Sequence, residues 1–449
     1  LLTMPARMRI AGGTLMRDAV RNSLSPHASG TLHGMIASAL ERGGAAEDER
    51  RVAQLAYHAV RAYDPSRAPA YLVRAADLAE RDGDLAEAAG YVADAARVVA
   101  VQVATAEAVG GRVLQGLSEL VIRAADLSLA VGNTARALDV LQRFTPEFRG
   151  AIDADVRLAL HLSEARVAAH RERWNEVVQI LAITEENEAE PLDPDLLGEA
   201  LMRLGHARLE AGEVEAASRT LALAVAQLSG DDTRLLHGMG SCYLAIALAR
   251  LGLIDEARSR GTDAMTGAVC VGELRLRWSS LVAMAEVAEA VGDFTGALTR
   301  WSDAMGVARE HGMPVELCRS AVRSAAAAFE AGWESRAAVF AEEAIHVGRK
   351  HRQDAVVSLA SAIQGALAVA AHPDPGFVKG MVRGVDSLES MDRPAEAAMA
   401  LRMLASVHVA LGDVPAAIRT LGRARPLAVA SGQLPLAARL LRAAERLAE

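Results

Sequence analysis

The residues that could do chemistry are few and poorly grouped for catalysis. Lysine occurs only at Lys350 and Lys379. Neither lies in a Gly-x-x-x-x-Gly-Lys-[Ser/Thr] loop, so no phosphate cradle is present, and neither has the setting of a kinase strand lysine. Gly238-Met239-Gly240-Ser241-Cys242 is not a Gly-x-Ser-x-Gly elbow, and no His-Glu-x-x-His zinc helix occurs. Cys242, Cys270 and Cys318 lie far apart with no paired spacing, which fits a reducing compartment and gives no zinc pattern. Cys242 reads as a small buried hydrophobe rather than a redox thiol. The sequence implies no catalytic residue, no metal site and no cofactor. An all-α enzyme would need converging acid–base or metal groups, and none is apparent. What remains is a set of polar side chains suited to paired, charge-assisted hydrogen bonds with a polar ligand: Arg123, Asp126, Arg166, Arg203, His206, Tyr243, Glu286, Arg319 and Arg323.

These side chains must be positioned by a regular scaffold, and the sequence supplies one. In steps of 40 the chain reads Gly132, Glu172, Gly212, Gly252, Gly292, Gly332, His372 and Gly412. Seven residues before each step stands a small residue: Ala125, Ala165, Gly205, Ala245, Ala285, Ala325, Gly365 and Ala405. Five residues after it come Ala137, Val177, Ala217, Ala257, Ala297, Ala337, Phe377 and Ala417. A fixed period of this length marks a solenoid. A second break falls about half a period later, at Gly272, Gly312 and Gly432, with acidic or Pro-rich breaks near Leu192, Asp231 and Asp392. Glycine suits the left-handed turn that closes a helix, and the Asp or Glu after it suits the next helix start. Each period is therefore two antiparallel helices of roughly 16–18 residues, about 25 Å long. The small columns mark close helix crossings.

Composition agrees. The 449 residues are 51% hydrophobic and only 3% aromatic, giving an Ala/Leu/Val core suited to helix-on-helix packing and not to strands. A net charge of −9 argues against direct nucleic-acid contact. The longest apolar run, Leu359 to Ala371, is too short to span a bilayer and holds Gln364, so no membrane role is expected. The fold class expected is all-α, a right-handed α-solenoid. Residues 1–45 form a small helical adaptor and 46–449 a repeat array, with Gly83 as an early step and a capping helix from about Leu434 to Glu449. The start at Leu1 reads as an excised or processed piece of a larger protein.

The columns at hairpin spacing resemble the tetratricopeptide repeat over roughly residues 50–449, with a 40-residue period in place of the usual 34. The long-helix form resembles the C-terminal arrays of MalT-like and LuxR-type regulators, which are large bacterial STAND signalling ATPases. Arg9-Ile10-Ala11, Leu15 to Val20, Leu24, Leu32-His33 and Ala37 to Leu40 are similar to the segment joining the ATPase module to its repeats. So are Leu55 to His58, Ala68, Tyr71-Leu72 and Ala75-Ala76; a histidine common in that linker is here Gly13 or Thr14. The resemblance implies a cytoplasmic sensor of a small-molecule inducer or a regulatory protein or peptide, restraining an ATPase module in cis, with possible oligomerisation. It also implies that the first helix of each pair lines a concave groove, so that the nine side chains above face a partner there. Trp278, at the start of a first helix, is placed to stack on a sugar or peptide. Trp174 and Trp333 are expected to plug inter-helix turns. The alternative reading is a stand-alone adaptor for protein–protein interaction, whose peptide binding would be lost on charge reversal at Arg166 or Arg203.

Overall fold

A computed structural model of the chain describes residues 23–44, 49–105, 110–143, 152–182, 184, 192–228, 230, 233–372, 374 and 376–449. The expected linker match at Arg9 to Val20 and the break at Asp231 lie outside these residues.

The described chain is all-α and divides into two compact units, Leu1–Arg173 and Trp174–Glu449. The first unit contains α1 (Pro26–Arg42), α2 (Glu49–Arg61), α3 (Ala68–Arg81), α4 (Leu85–Thr105), α5 (Gly111–Ala130), α6 (Thr134–Gln142) and α7 (Ala154–His170). The second begins with α8 (Trp174–Leu181). It continues with the hairpins α9 (Pro194–Glu210)/α10 (Val214–Gln227), α11 (Arg234–Leu251)/α12 (Ile254–Val271) and α13 (Leu274–Val291)/α14 (Phe294–Glu310). Next come α15 (Pro314–Glu330)/α16 (Glu334–Lys350), α17 (Asp354–Ala371)/α18 (Gly376–Ser390) and α19 (Pro394–Ala410)/α20 (Val414–Ala430), and a last helix α21 (Leu434–Ala448).

The 40-residue steps are where first helices end. Gly212, Gly252, Gly292, Gly332 and Gly412 all adopt positive φ, between 76° and 85°. Glu172 replaces the glycine in its step yet keeps the left-handed backbone, at φ 55°. At His372 the turn is different, with φ −143°, and Phe377 beyond it is 40% exposed where other repeats bury an alanine. The residue after the glycine caps the next helix in several repeats: Asp293 accepts from Gly296 N at 2.9 Å and Asp413 from Ala416 N at 2.9 Å.

The small column explains how tightly the hairpins close. Ala245, Ala285 and Ala325 are fully buried. A Cβ at Gly205 would lie 2.5 Å from Leu221 Cγ, and one at Gly365 would lie 2.8 Å from Met381 Cγ, so only glycine fits there. The α17 helix is, among the described residues, the one long and apolar enough to cross a membrane by length and composition. Its Leu359, Ala362, Ile363, Ala366 and Val369 belong to the packed core of the second unit. Trp333 does not plug its turn: it is 40% exposed, with the Arg336 guanidinium 5.1 Å from its ring centroid. A left-handed glycine already closes that turn without a ring.

Candidate functional site

The polar side chains singled out by spacing fall into separate clusters. In the first unit, Arg123 on α5 donates from Nε to Glu80 at 3.0 Å and also pairs with Asp77, both on α3. Asp126 on α5 accepts from Arg166 Nη1 of α7 at 2.7 Å and from Ser163 Oγ at 3.2 Å. Asp126 and Arg166 hold the same place in successive repeats, 40 residues apart, so an ion pair between first helices ties these two repeats together.

In the second unit the first helices converge more closely. His206 of α9 stacks on Tyr243 of α11, with ring centroids 4.0 Å apart and planes 9° from parallel, and meets Trp174 edge-on at 5.2 Å. Trp278 of α13 is partly buried and donates from Nε1 to Ser320 Oγ of α15 at 3.0 Å. Arg203 pairs with Glu199 at 2.7 Å on its own helix. Arg319 of α15 reaches across two hairpins to Glu210, at 3.4 Å, on the last turn of α9. His206, Glu210, Tyr243, Arg250, Trp278 and Arg319 enclose a cavity of about 20 Å³, room for little more than one water.

A second cluster lies deeper. Glu286 on α13 is 6% exposed and sits 3.5 Å from Arg250 and 3.4 Å from Arg323. Arg323 also pairs with Glu289, and Glu289 accepts from Trp301 Nε1 at 2.7 Å. The Arg323 guanidinium lies 5.1 Å from the Trp301 ring centroid, and Trp301 itself is fully buried. Glu330 of α15 pairs with Arg402 of α19.

Burial and charge act against each other on these carboxyls. At Glu210 burial raises the pKa, but Arg319, His206 and Arg250 outweigh it and hold the group well below the usual carboxylate range. Burial likewise opposes ionisation of Glu286, and Arg323, Arg250 and Arg319 overcome it. At Glu289 burial wins over Arg323, helped by the Glu286 charge, and the pKa rises. Burial also raises Glu330 despite Arg402 and Arg439, and lifts the Tyr243 hydroxyl to about 12. Two carboxylates on one helix, three residues apart and sharing Arg323, are thus driven in opposite directions. Among the described residues no group of three or more His, Cys, Asp or Glu could hold a metal ion.

The arrangement is self-paired: the charged side chains named above each have an opposite charge within their own unit. It can recognise a polar partner by exchanging internal ion pairs for external ones. Spacing alone missed Glu210, Arg250, Glu289, Glu330, Arg402 and Arg439. Glu210, Arg250 and Glu330 sit in one column two residues before the glycine step. Following that column, and not only those flanking the small residues, finds them.

No family model matches the chain, and no curated protein does. Solved structures do. That of a Rap protein complexed with competence and sporulation factor matches with TM-score 0.60 at 12% identity, over 88% of this chain and 99% of that one. The Rap conjugation gene regulator of plasmid pLS20, in complex with the Phr* peptide, gives 0.54 at 14% identity, over 80% and 94%. Aspartyl phosphate phosphatase F from Bacillus subtilis gives 0.51 at 11% identity, over 81% and 94%. At these identities the likeness shows the fold: this chain is a tetratricopeptide-like array of helical hairpins.

Proposed function

We propose that the chain is a partner-sensing scaffold without catalytic groups of its own, and that the inner face of its second unit holds a peptide or protein segment. The observation that carries this reading is the convergence of His206, Tyr243, Trp278, Glu210 and Arg319 from four successive first helices. Aromatic faces beside paired charges are what a polypeptide ligand needs, since rings take its apolar side chains and charges its polar ones. The similar Rap conjugation gene regulator, whose structure is a complex with the Phr* peptide, supports the same reading by fold.

At finer grain, we read the chain as the sensor region of a cytoplasmic bacterial signalling ATPase of the MalT-like or LuxR-type kind, acting on transcription through an ATPase module in cis. The motive is the 40-residue ladder together with the linker resemblance near the start. A partner held on the inner face shifts the parent between states only by its difference in affinity for them. The coding sequence before Leu1 tests this level: a P-loop ATPase module there supports it, and its absence leaves the plain adaptor reading.

The binding claim is tested by calorimetry of the full chain against candidate inducers and peptide libraries. Saturable binding weakened at least tenfold by Arg203→Glu or Arg319→Glu is expected. Binding indifferent to both substitutions, or none at all, would overturn the assignment of this face.

A further inference from the structure

The last helix does not merely end the array. Besides packing on α20, α21 lies against α11 and α13, which belong to hairpins far earlier in the chain. It buries Leu436, Ala437 and Leu440. The turn that leads into it interlocks with the turn of the first full hairpin. A Cβ at Gly432 would lie 1.9 Å from Val214 Cγ2, and one at Gly212 would lie 2.4 Å from the Ala430 carbonyl oxygen. Among the described left-handed glycines these two alone have any neighbour within 4 Å. The second unit is thereby closed on itself, and the cavities under and beside α21 are about 20, 30 and 40 Å³, too small for a peptide side chain while α21 is in place.

What α21 inserts is an arginine. Arg439 Nη1 donates to the carbonyls of Glu289 at 2.8 Å and Ala290 at 3.3 Å, in the last turn of α13. Its guanidinium lies 5.5 Å from the Phe294 ring centroid. Burial works against its charge and lowers its pKa, and the carboxylates of Glu289 and Glu330 offset only part of that. Helix-end carbonyls, two carboxylates and an aromatic face make a receptor for a planar cation. The fit is incomplete. Arg439 Nε and Gln433 Nε2 are buried with no acceptor, and both residues line the 40 Å³ cavity. A buried donor left unmet weakens the seat.

We infer that α21 is a built-in stand-in for the partner: the surface it covers is the docking site of an arginine-bearing helical segment of another protein, which enters when α21 lifts. This rests on the reading that the inner face of the second unit holds a partner. It adds the partner's chemistry and the order of events.

The probe is a labelled synthetic peptide of sequence 434–449, with a second carrying Arg439→Ala. Both are titrated into the full chain and into its Gly432→Ala variant, in which the added Cβ wedges the seam without touching the receptor. A tethered helix competes at an effective concentration of order mM, so the unaltered chain takes up neither peptide below about 1 mM. The variant is expected to bind the arginine peptide at least tenfold more tightly than the unaltered chain does, and at least tenfold more tightly than it binds the alanine peptide. Hydrogen exchange on the same samples is expected to quicken together in α21 and in residues 211–214. If Gly432→Ala does not fold, Arg439→Ala in the full chain empties the same receptor and takes the same titrations. Equal binding of the two peptides overturns the inference, as does faster exchange of α21 with no peptide uptake. A variant that dimerises by exchanging its own α21, seen by sedimentation, overturns the outside partner. None of these results bears on charge reversal at Arg203 or Arg319, which judges the partner-holding reading separately.

Discussion

Adding one methyl group at two left-handed glycines, the last ladder step and the half-period break after it, separates backbone strain from closure. Gly412 and Gly432 have similar backbones, with φ 80° and 68°. At Gly412 a Cβ meets nothing within 4 Å, whereas at Gly432 it falls 1.9 Å from Val214 Cγ2 and 2.9 Å from Val214 Cβ. Val214 is fully buried and has no room to retreat. Alanine in the left-handed region costs about 1–2 kcal/mol, offset by roughly 0.4–1 from the stiffer unfolded chain. Gly412→Ala is thus expected to lose about 0.5–1 kcal/mol. Gly432→Ala carries the same term plus overpacking of about 1–3 kcal/mol, for a total near 2–4. Gly212→Ala meets a carbonyl oxygen that no rotamer change can move, and belongs with Gly432→Ala. Urea unfolding followed by circular dichroism measures all three. Adding Val214→Ala to Gly432→Ala removes the shortest contact and leaves the one to Cβ, 2.9 Å away, so the double-mutant cycle should return a partial coupling of about 1 kcal/mol. Equal losses at 412 and 432, or a coupling near zero, would refute the closed seam.

Further outcomes follow from other parts of the chain. Ala325→Leu, in the fully buried small column, is expected to destabilise by about 1–3 kcal/mol. Gly306→Ala, inside α14 with nothing within 4 Å, should stabilise by about 0.5–1 kcal/mol; thermal melts of the two variants check the opposite signs. Glu210 has a folded pKa below its ordinary value of 4.5, so its charge stabilises above that pH and the stabilisation is lost as pH falls through and below it. Glu210→Gln should cost about 3 kcal/mol at pH 7 and flatten the acid limb of the melting temperature as the pH falls below the ordinary value of 4.5. An unchanged acid limb would contradict the pairing with Arg319. Burial lifts the thiol of Cys242 to about 12 and that of Cys318 to about 11, so both should resist a thiol reagent in the native chain and react at once in denaturant.

The ladder was legible because its cause is local. A left-handed residue needs glycine, a cap needs a short polar side chain, and a close crossing needs Ala or Gly, and each recurs at fixed spacing. The helix from Leu434, the step at Gly83 and the half-period break at Gly432 could be read this way. Glu172 was legible as a step only through its neighbours, since its own side chain gives no sign that its backbone is left-handed. The ion pairs were half legible. Asp126 and Arg166 stand one period of the ladder apart, whereas Arg319 with Glu210 and Arg439 with the carbonyl of Glu289 are separated by 109 and 150 residues. Those contacts depend on how far the second unit curls, which is a sum of small rotations per hairpin that no single repeat encodes. Trp333 was misplaced for a related reason: the sequence gives its distance from the step but not which side of the helix its neighbour leaves open.

The most direct test of partner recognition on the inner face is a hydrogen-exchange footprint. The full chain selects binders from a displayed peptide library, and the tightest is mapped by the amides it slows. Protection concentrated in α9, α11, α13 and α15, and lost with Arg319→Glu, is the predicted result. Protection confined to the second helices α10, α12, α14 and α16 would contradict the account.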